Sequence, residues 1–196
     1  MILPIVAYGH PVLKQKAKEL TPDYPDLELL ISNMWETMYN GRGVGLAAPQ
    51  IGKSIRMFMV DSEQLVKENE ETENDDDKYA ITTGIRKTFI NPVMLSETGN
   101  PWVYEEGCLS IPDIRVKISR NELIRIKYQD ESFNWHEDEY DAMNARIIQH
   151  EYDHLEGVLL TDRISPLKRS LMKGKLDNIS KGKIQVGYRM RFPAAK

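Results

Sequence analysis

The residues HEYDH at 150–154 set two imidazoles four positions apart, with a carboxylate next to the first. On a helix, residues i and i+4 project from one face, so His150 and His154 can share a tetrahedral metal while Glu151 reaches a water held there. A solvated helix face carrying three polar residues is the plain alternative, and the neighbouring residues oppose it. Met143 and Ile147 lie on the same stripe and are apolar, which turns that face inward, and buried imidazoles without a partner are costly. The chemistry this pattern points to is hydrolysis, with a metal-bound water as nucleophile and Glu151 as general base and then acid.

A catalytic site of this kind takes three protein ligands and leaves one position for water. A third His six residues after the second would mark the metzincins, and Leu160 stands there. A downstream Glu, as in thermolysin-like sites, has no candidate, because neither Glu nor His follows Glu156 and only Asp162 and Asp177 remain as side-chain carboxylates. Upstream, His10 and His136 are isolated, and His136 sits among charged residues as a solvated His would. Cys108 is the single cysteine and lies in YEEGCLSIP, a glycine-bracketed turn ahead of a strand. It can form no intramolecular disulfide, and its default role is that of a small buried hydrophobe. A thiolate joined to two imidazoles nevertheless suits Zn²⁺ or Fe²⁺. Two other readings stay open: a zinc peptidase with Asp162 as third ligand, and a non-catalytic protein whose metal closes the fold and has a fourth protein ligand.

The elements that must position these residues follow from hydrophobic period. Leu27, Leu30, Ile31, Met34, Trp35 and Met38 recur at helical spacing between Pro25 and Tyr39, and Asn40-Gly41 supplies the stop. GRGVGLAAPQIG at 41–52 is too small and glycine-rich for a surface helix and too apolar for a solvated loop, which suggests backbone that approaches something closely. Residues 54–61 read as a buried strand and 88–95 as another, bent or at an edge because of Pro92. The acidic run at 67–78 reads as a flexible surface excursion. Ile114, Val116 and Ile118, then Ile124, Ile126 and Tyr128, alternate with polar residues as two half-buried strands, and 133–137 returns as a hairpin partner after a turn at 129–132. A helix is predicted over about 139–156 with Gly157 closing it, a third from Ser165 to near Ser180, and a strand-like ending at 183–192. The sum is an α+β domain with antiparallel or mixed sheets packed around a central HExxH helix.

At 196 residues and 41% hydrophobic content the chain suffices for one domain spanning 1–196. A net charge of -4 and a pI near 5.7 exclude wholesale electrostatic binding of nucleic acid. No stretch approaches the roughly 20 apolar residues that cross a bilayer, and MILPIVAYGHPVLK has no basic n-region, so a soluble cytoplasmic protein without a membrane partner is expected.

Three blocks, GVGLAAPQ (43–50), EGCLS (106–110) and QHEYDHLEG (149–157), resemble the signature motifs of the peptide deformylases, in the usual order. The resemblance runs from the YGHPVL start to the LLTDRI segment after the helix. It implies removal of the formyl group from the N-terminal formylmethionine of newly made polypeptides, with release of formate. It also implies that Cys108, His150 and His154 bind one divalent metal per chain, with Fe²⁺ favoured and Zn²⁺, Ni²⁺ or Co²⁺ compatible. Glu151 is then the general base and acid, and the Gln50 side chain and Leu109 backbone N–H are the oxyanion donors. Gly43, Val44 and Gly45 would line the cleft and pair with the formylmethionyl nascent peptide, Arg115 would meet its backbone, and Glu106 with Arg120 would support the site. Val44, Met143 and Ile147 are by position the candidates for the methionine pocket, with ordinary core as their default role; either Arg could equally lie on a strand's solvated face. Three features depart from the family pattern. The acidic excursion is longer than the shortest members need, and Arg146 stands one turn before His150 where an apolar residue is more familiar. The ending is basic, with nine Lys or Arg between Lys168 and Lys196 against Asp177 alone. A solvated surface is its default, a transient contact with ribosomal RNA the alternative, and no stable nucleic-acid complex is expected.

Overall fold

The chain from Ile114 to Tyr128 keeps one side-chain parity, and in the computed structural model, which describes residues 1–66, 81 and 83–193, it lies in a single 19-residue strand, Ile111–Gln129. The sequence suggests two strands here; the structure joins them because residues 119–123 contain neither Gly nor Pro and nothing interrupts the alternation. Ile114, Val116, Ile118, Arg120, Ile124, Ile126 and Tyr128 all point inward. Arg115 falls on the outward row and Arg120 on the inward one, which settles by parity what spacing alone left open.

In chain order the elements are β1 (Ile5–Val6), α1 (Leu27–Asn40), β2 (Gly45–Ala47), β3 (Met57–Asp61), β4 (Arg86–Cys108), β5 (Ile111–Gln129), β6 (Trp135–Asp141), α2 (Ala142–Leu155), α3 (Pro166–Leu171), α4 (Lys173–Ser180) and β7 (Met190–Arg191). Five strands form one antiparallel sheet in the order β2-β3-β4-β5-β6, and β1 pairs in parallel with β7. The architecture is the expected α+β arrangement. β4 extends far beyond the predicted 88–95, and Pro92 is accommodated at a register shift between Ile90 and Val93, with Asn91 at a φ of 49°.

The core has three parts. Phe58, Val60, Phe89, Ile124, Ile126 and Ile148 form one beneath α2. Met57, Met59, Leu46 and Ile90 meet Met34, Trp35 and Met38 of α1 in a second, so β3 is buried on both faces. Ile114, Val116 and Ile118 meet Leu160, Leu176 and Ile179 in the third. β5 therefore spans two cores, with Arg120 at their junction.

The chain differs from the sequence reading at three ends. Residues 139–141 remain in β6, paired with Arg125, Ile124 and Leu123, so α2 begins at Ala142. It stops as predicted at Gly157, whose φ of 72° lets Val158 N–H reach Asp153 O at 2.9 Å. The helix predicted from Ser165 does start there, with Ser165 accepting the Lys168 N–H, but it breaks at Met172. α3 buries no residue, whereas α4 buries Leu176 and Ile179, and Gly174 weakens the junction. Of the strand-like ending only Met190–Arg191 pairs. The 67–78 excursion lies outside the described residues. Among the described residues no helix is long and apolar enough to cross a membrane.

Phe89 stacks on Phe58 with centroids 4.7 Å apart and meets Tyr128 at 4.5 Å, with no solvent exposure. Phe89→Ala should lower stability by about 3–5 kcal/mol, read as a fall in the denaturant midpoint at unchanged slope; a shift within error would show that the sheet-to-α2 core can close the gap.

Candidate metal centre

Cys108 is the last residue of β4, and the turn Leu109–Ser110 brings β5 back beside it with Cys108 opposite Ile111. The thiol is thereby set against α2. Its Sγ lies 3.4 Å from His154 Nε2, and one donor atom each from Cys108, His150 and His154 all fall within 4.8 Å of one another. Among the described residues this is the one group of three or more metal-ligating side chains so placed, and Asp162 is not in it. Asp162 instead accepts the Leu159 N–H at 2.8 Å and pairs with Lys14. His10 caps a short turn by accepting the Val12 N–H, and exposed His136 pairs with Asp130 at 2.8 Å. The three residues the sequence proposed are brought together, and the two isolated histidines are not.

The His150 ring is oriented by Glu106, whose Oε2 meets Nδ1 at 2.9 Å and so leaves Nε2 for the cluster. Glu106 is itself buried, and each oxygen makes two contacts. Arg120 grips it with Nε to Oε1 at 2.8 Å and Nη2 to Oε2 at 2.9 Å; Arg146 Nη1 supplies the fourth. Burial opposes the ionised form, but the hydrogen bonds from His150 and Arg120 outweigh it and hold the carboxyl far below the usual carboxylate range. Arg120 also reaches Asp153 Oδ2 at 2.9 Å, and Asp153 takes both Nε and Nη2 of Arg163.

Arg146, one turn before His150 where an apolar residue is more familiar, borders the cleft with its charge paired to Glu106. Its guanidinium is spent on Glu106, on the carbonyls of Trp102 (2.7 Å) and Ile118 (3.2 Å), and on the Trp102 ring at 4.0 Å. Its role was legible in principle: residues 146, 150 and 154 share one helix face, and a charged residue on an inward face demands a buried partner. Asp153 and Arg163 carry no such local signal, because a long-range ion pair leaves no period in the sequence.

A cleft of about 970 Å³ opens onto the cluster, and Gly43, Val44, Gly45, Gln50, Glu106, Leu109, Arg115, Met143, Ile147, His150 and Glu151 all line it. Val44, Met143 and Ile147 also pack on the core beneath α2, so the pocket and core readings of these residues coincide. Arg115 is exposed at the rim and Arg120 is buried behind the site. Gln50 is buried, with Oε1 fixed by the Ala47 N–H at 2.8 Å, which aims its Nε2 toward Cys108 Sγ at 3.5 Å. Glu151 is buried and its Oε2 has no hydrogen-bond partner. Burial pushes its carboxyl up to about 7 against the pull of His150 and Arg120.

The residues present fit a divalent metal. His154 is buried with Nδ1 unpartnered, and burial holds it well below its ordinary range, in the neutral form that ligates. Burial would depress His150 also, yet hydrogen bonds to Cys108 and Glu106 prevail and raise it to about 10. Groups that favour a proton at that ring favour a dication in its place. The thiol and two imidazoles are a soft, nitrogen-rich set suited to late first-row ions.

A family model described as polypeptide deformylase matches residues 2–170. The peptide deformylase of Christiangramia forsetii is 55% identical over 196 residues, covering 100% of this chain and 98% of that protein. That of Flavobacterium psychrophilum is 51% identical over 199 residues, with full coverage of both. Among solved structures, the Legionella pneumophila peptide deformylase has a TM-score of 0.77 at 33% identity, covering 93% of this chain and 98% of that one. The Thermotoga maritima enzyme has a TM-score of 0.70 at 40% identity, covering 85% and 99%.

A methyl on Gly45 would stand 2.5 Å from Glu151 Oε1 and 2.8 Å from Cδ and Cγ, closer than real contacts allow. Gly45→Ala should fold and keep its metal yet lose roughly 10- to 100-fold in turnover, because a carboxylate displaced by about 1 Å is out of place for proton transfer. Wild-type turnover in that variant would place Glu151 outside the reacting geometry.

Proposed function

This chain belongs to the peptide deformylase family, and from that premise we propose how its residues divide the work. It is a hydrolase that removes the N-formyl group from newly made polypeptides. The observation carrying the assignment of roles is the convergence of Cys108, His150 and His154 beside a buried carboxylate, Glu151, at the floor of an open cleft. Cys108, His150 and His154 hold the metal, which when bound acidifies a water and polarises the formyl oxygen. Ferrous iron is our choice of native metal, with Zn²⁺, Ni²⁺ and Co²⁺ able to take the same donors.

Glu151 accepts the proton of the attacking water and returns it to the departing amine as the formyl C–N bond breaks, leaving formate and a free N-terminus. Its unpartnered Oε2 is suited to that duty. Gln50 Nε2 and the Leu109 N–H donate to the oxygen on which negative charge develops. Glu106 and Arg120, joined by Arg146, hold the His150 ring. β2 is an edge strand, so an extended peptide can add alongside Gly43, Val44 and Gly45 by main-chain pairing, with Arg115 meeting its backbone. Val44, Met143 and Ile147 take the methionine side chain.

We place the enzyme in the cytoplasm as one catalytic domain, 1–196. The ending adds a finer element. Exposed Lys168, Arg169, Lys173, Lys175, Lys181 and Lys183 offer a transient contact with ribosomal RNA where the substrate emerges, a contact that rising salt would weaken steeply.

Anaerobically prepared, iron-loaded protein should release formate from a formyl-Met peptide. Glu151→Gln should keep its metal and lose roughly 100- to 10,000-fold in turnover, whereas Cys108→Ala should lose both metal and activity. A wild-type protein that leaves the formyl peptide intact, or a Cys108→Ala protein that still turns over, would sink this reading.

A further inference from the structure

The hydroxyl of Tyr188 donates to Leu109 O at 2.8 Å. That carbonyl belongs to the central peptide of the turn between Cys108 and Ile111, the unit whose rotation converts one turn type into another. The next carbonyl, Ser110 O, accepts the Tyr8 N–H, also at 2.8 Å. Both tethers come from one place. Tyr8 lies two residues after β1 and Tyr188 two residues before β7, and those strands pair Ile5 with Met190 and Val6 with Arg191. The Leu109 side chain is held as well, because Cβ atoms on Gly41 or Gly43 would meet its Cδ1 at 3.0 Å. With its side chain and carbonyl both fixed, Leu109 has its Cα and N placed; Cys108 Cα is held by the pairing of Cys108 with Ile111, and the planar peptide through these atoms gives the Leu109 N–H its direction. The family match ends at residue 170, so the tyrosine comes from a segment beyond it.

We propose that Tyr188 is a positioning residue: its hydroxyl holds the Leu109–Ser110 peptide and, through Leu109 Cα, the direction of the preceding N–H. The inference rests on the reading of the Leu109 N–H as a donor to the transition state. A donor that must be aimed before charge develops loses effect when its peptide can rotate. The deficit then appears in kcat, since the ground-state complex does not use it.

The test compares iron-loaded wild type with Tyr188→Phe, which removes the hydroxyl and keeps the ring, and with Met190→Ala, which weakens the β1–β7 pair without touching that bond. In Tyr188→Phe, kcat should fall roughly 5- to 20-fold with KM within about twofold, while metal content and Tm stay at wild-type values. The backbone order parameter of Leu109, measured on the metal-free protein, should drop from about 0.85 toward about 0.6. Met190→Ala should lower Tm and leave kcat within about twofold of wild type. A Tyr188→Phe protein with unchanged kcat and an unchanged Leu109 would overturn the inference and leave the deformylase reading intact. A loosened Leu109 with unchanged kcat would overturn it from the other side, by removing that N–H from the chemistry. Equal kcat losses in both variants, or loss of metal from Tyr188→Phe, would reduce the hydroxyl to general bracing. Failure of wild type itself to release formate would instead sink the family reading of the site.

Discussion

The Glu106 carboxylate is the interaction on which the rest depends, because it joins β4, β5 and α2 through a single side chain. Removed from water it would be costly alone, and two guanidinium groups and an imidazole meet it with two contacts on each oxygen. Arg120 then hands the network to Asp153 one turn along α2, and Asp153 to Arg163 beyond the helix. The ion pairs fix where α2 sits against the hairpin. They therefore decide whether a thiol on β4 and two rings on α2 can meet at all. A buried network of this kind contributes little net stability compared with apolar packing, so its value lies in geometry.

Much of the site was legible in the residues. HExxH announces itself because helical spacing and ligand chemistry constrain the same five positions, whereas the residues alone left Cys108 and Asp162 both open as third ligand, and the resemblance singled out Cys108. Arg120 and Arg115 were ambiguous as isolated arginines, and the unbroken parity of β5 separates them. What stayed hidden has a common physical origin. Asp153, Arg163 and Tyr188 act through contacts between residues distant in sequence, and such contacts impose no period and no composition on the chain. The helix break at Met172 was hidden for a related reason: burial begins only at Leu176, and propensity alone does not report where a core starts.

The glycine-rich block at 41–52 suggested close approach of backbone to something, and part of that something is the protein itself. Gly45 makes room for Glu151, and Gly41 and Gly43 make room for Leu109. The same small residues that line the cleft also let two of the groups we assign to the chemistry come down to it. Both demands, inward and outward, fall on a five-residue stretch, which explains why its composition is so unlike that of either neighbouring element.

The single parity of β5 also governs how this gene can change length. Loss or gain of one codon between Ile118 and Ile124 would exchange the faces of half the strand. It would turn Ile124, Ile126 and Tyr128 outward, or send Arg120 to solvent and leave Glu106 short of its clamp. Indels within this strand are therefore tolerable only in pairs. Lineages descending from this sequence should drift in size at their loops while the long strand keeps its count.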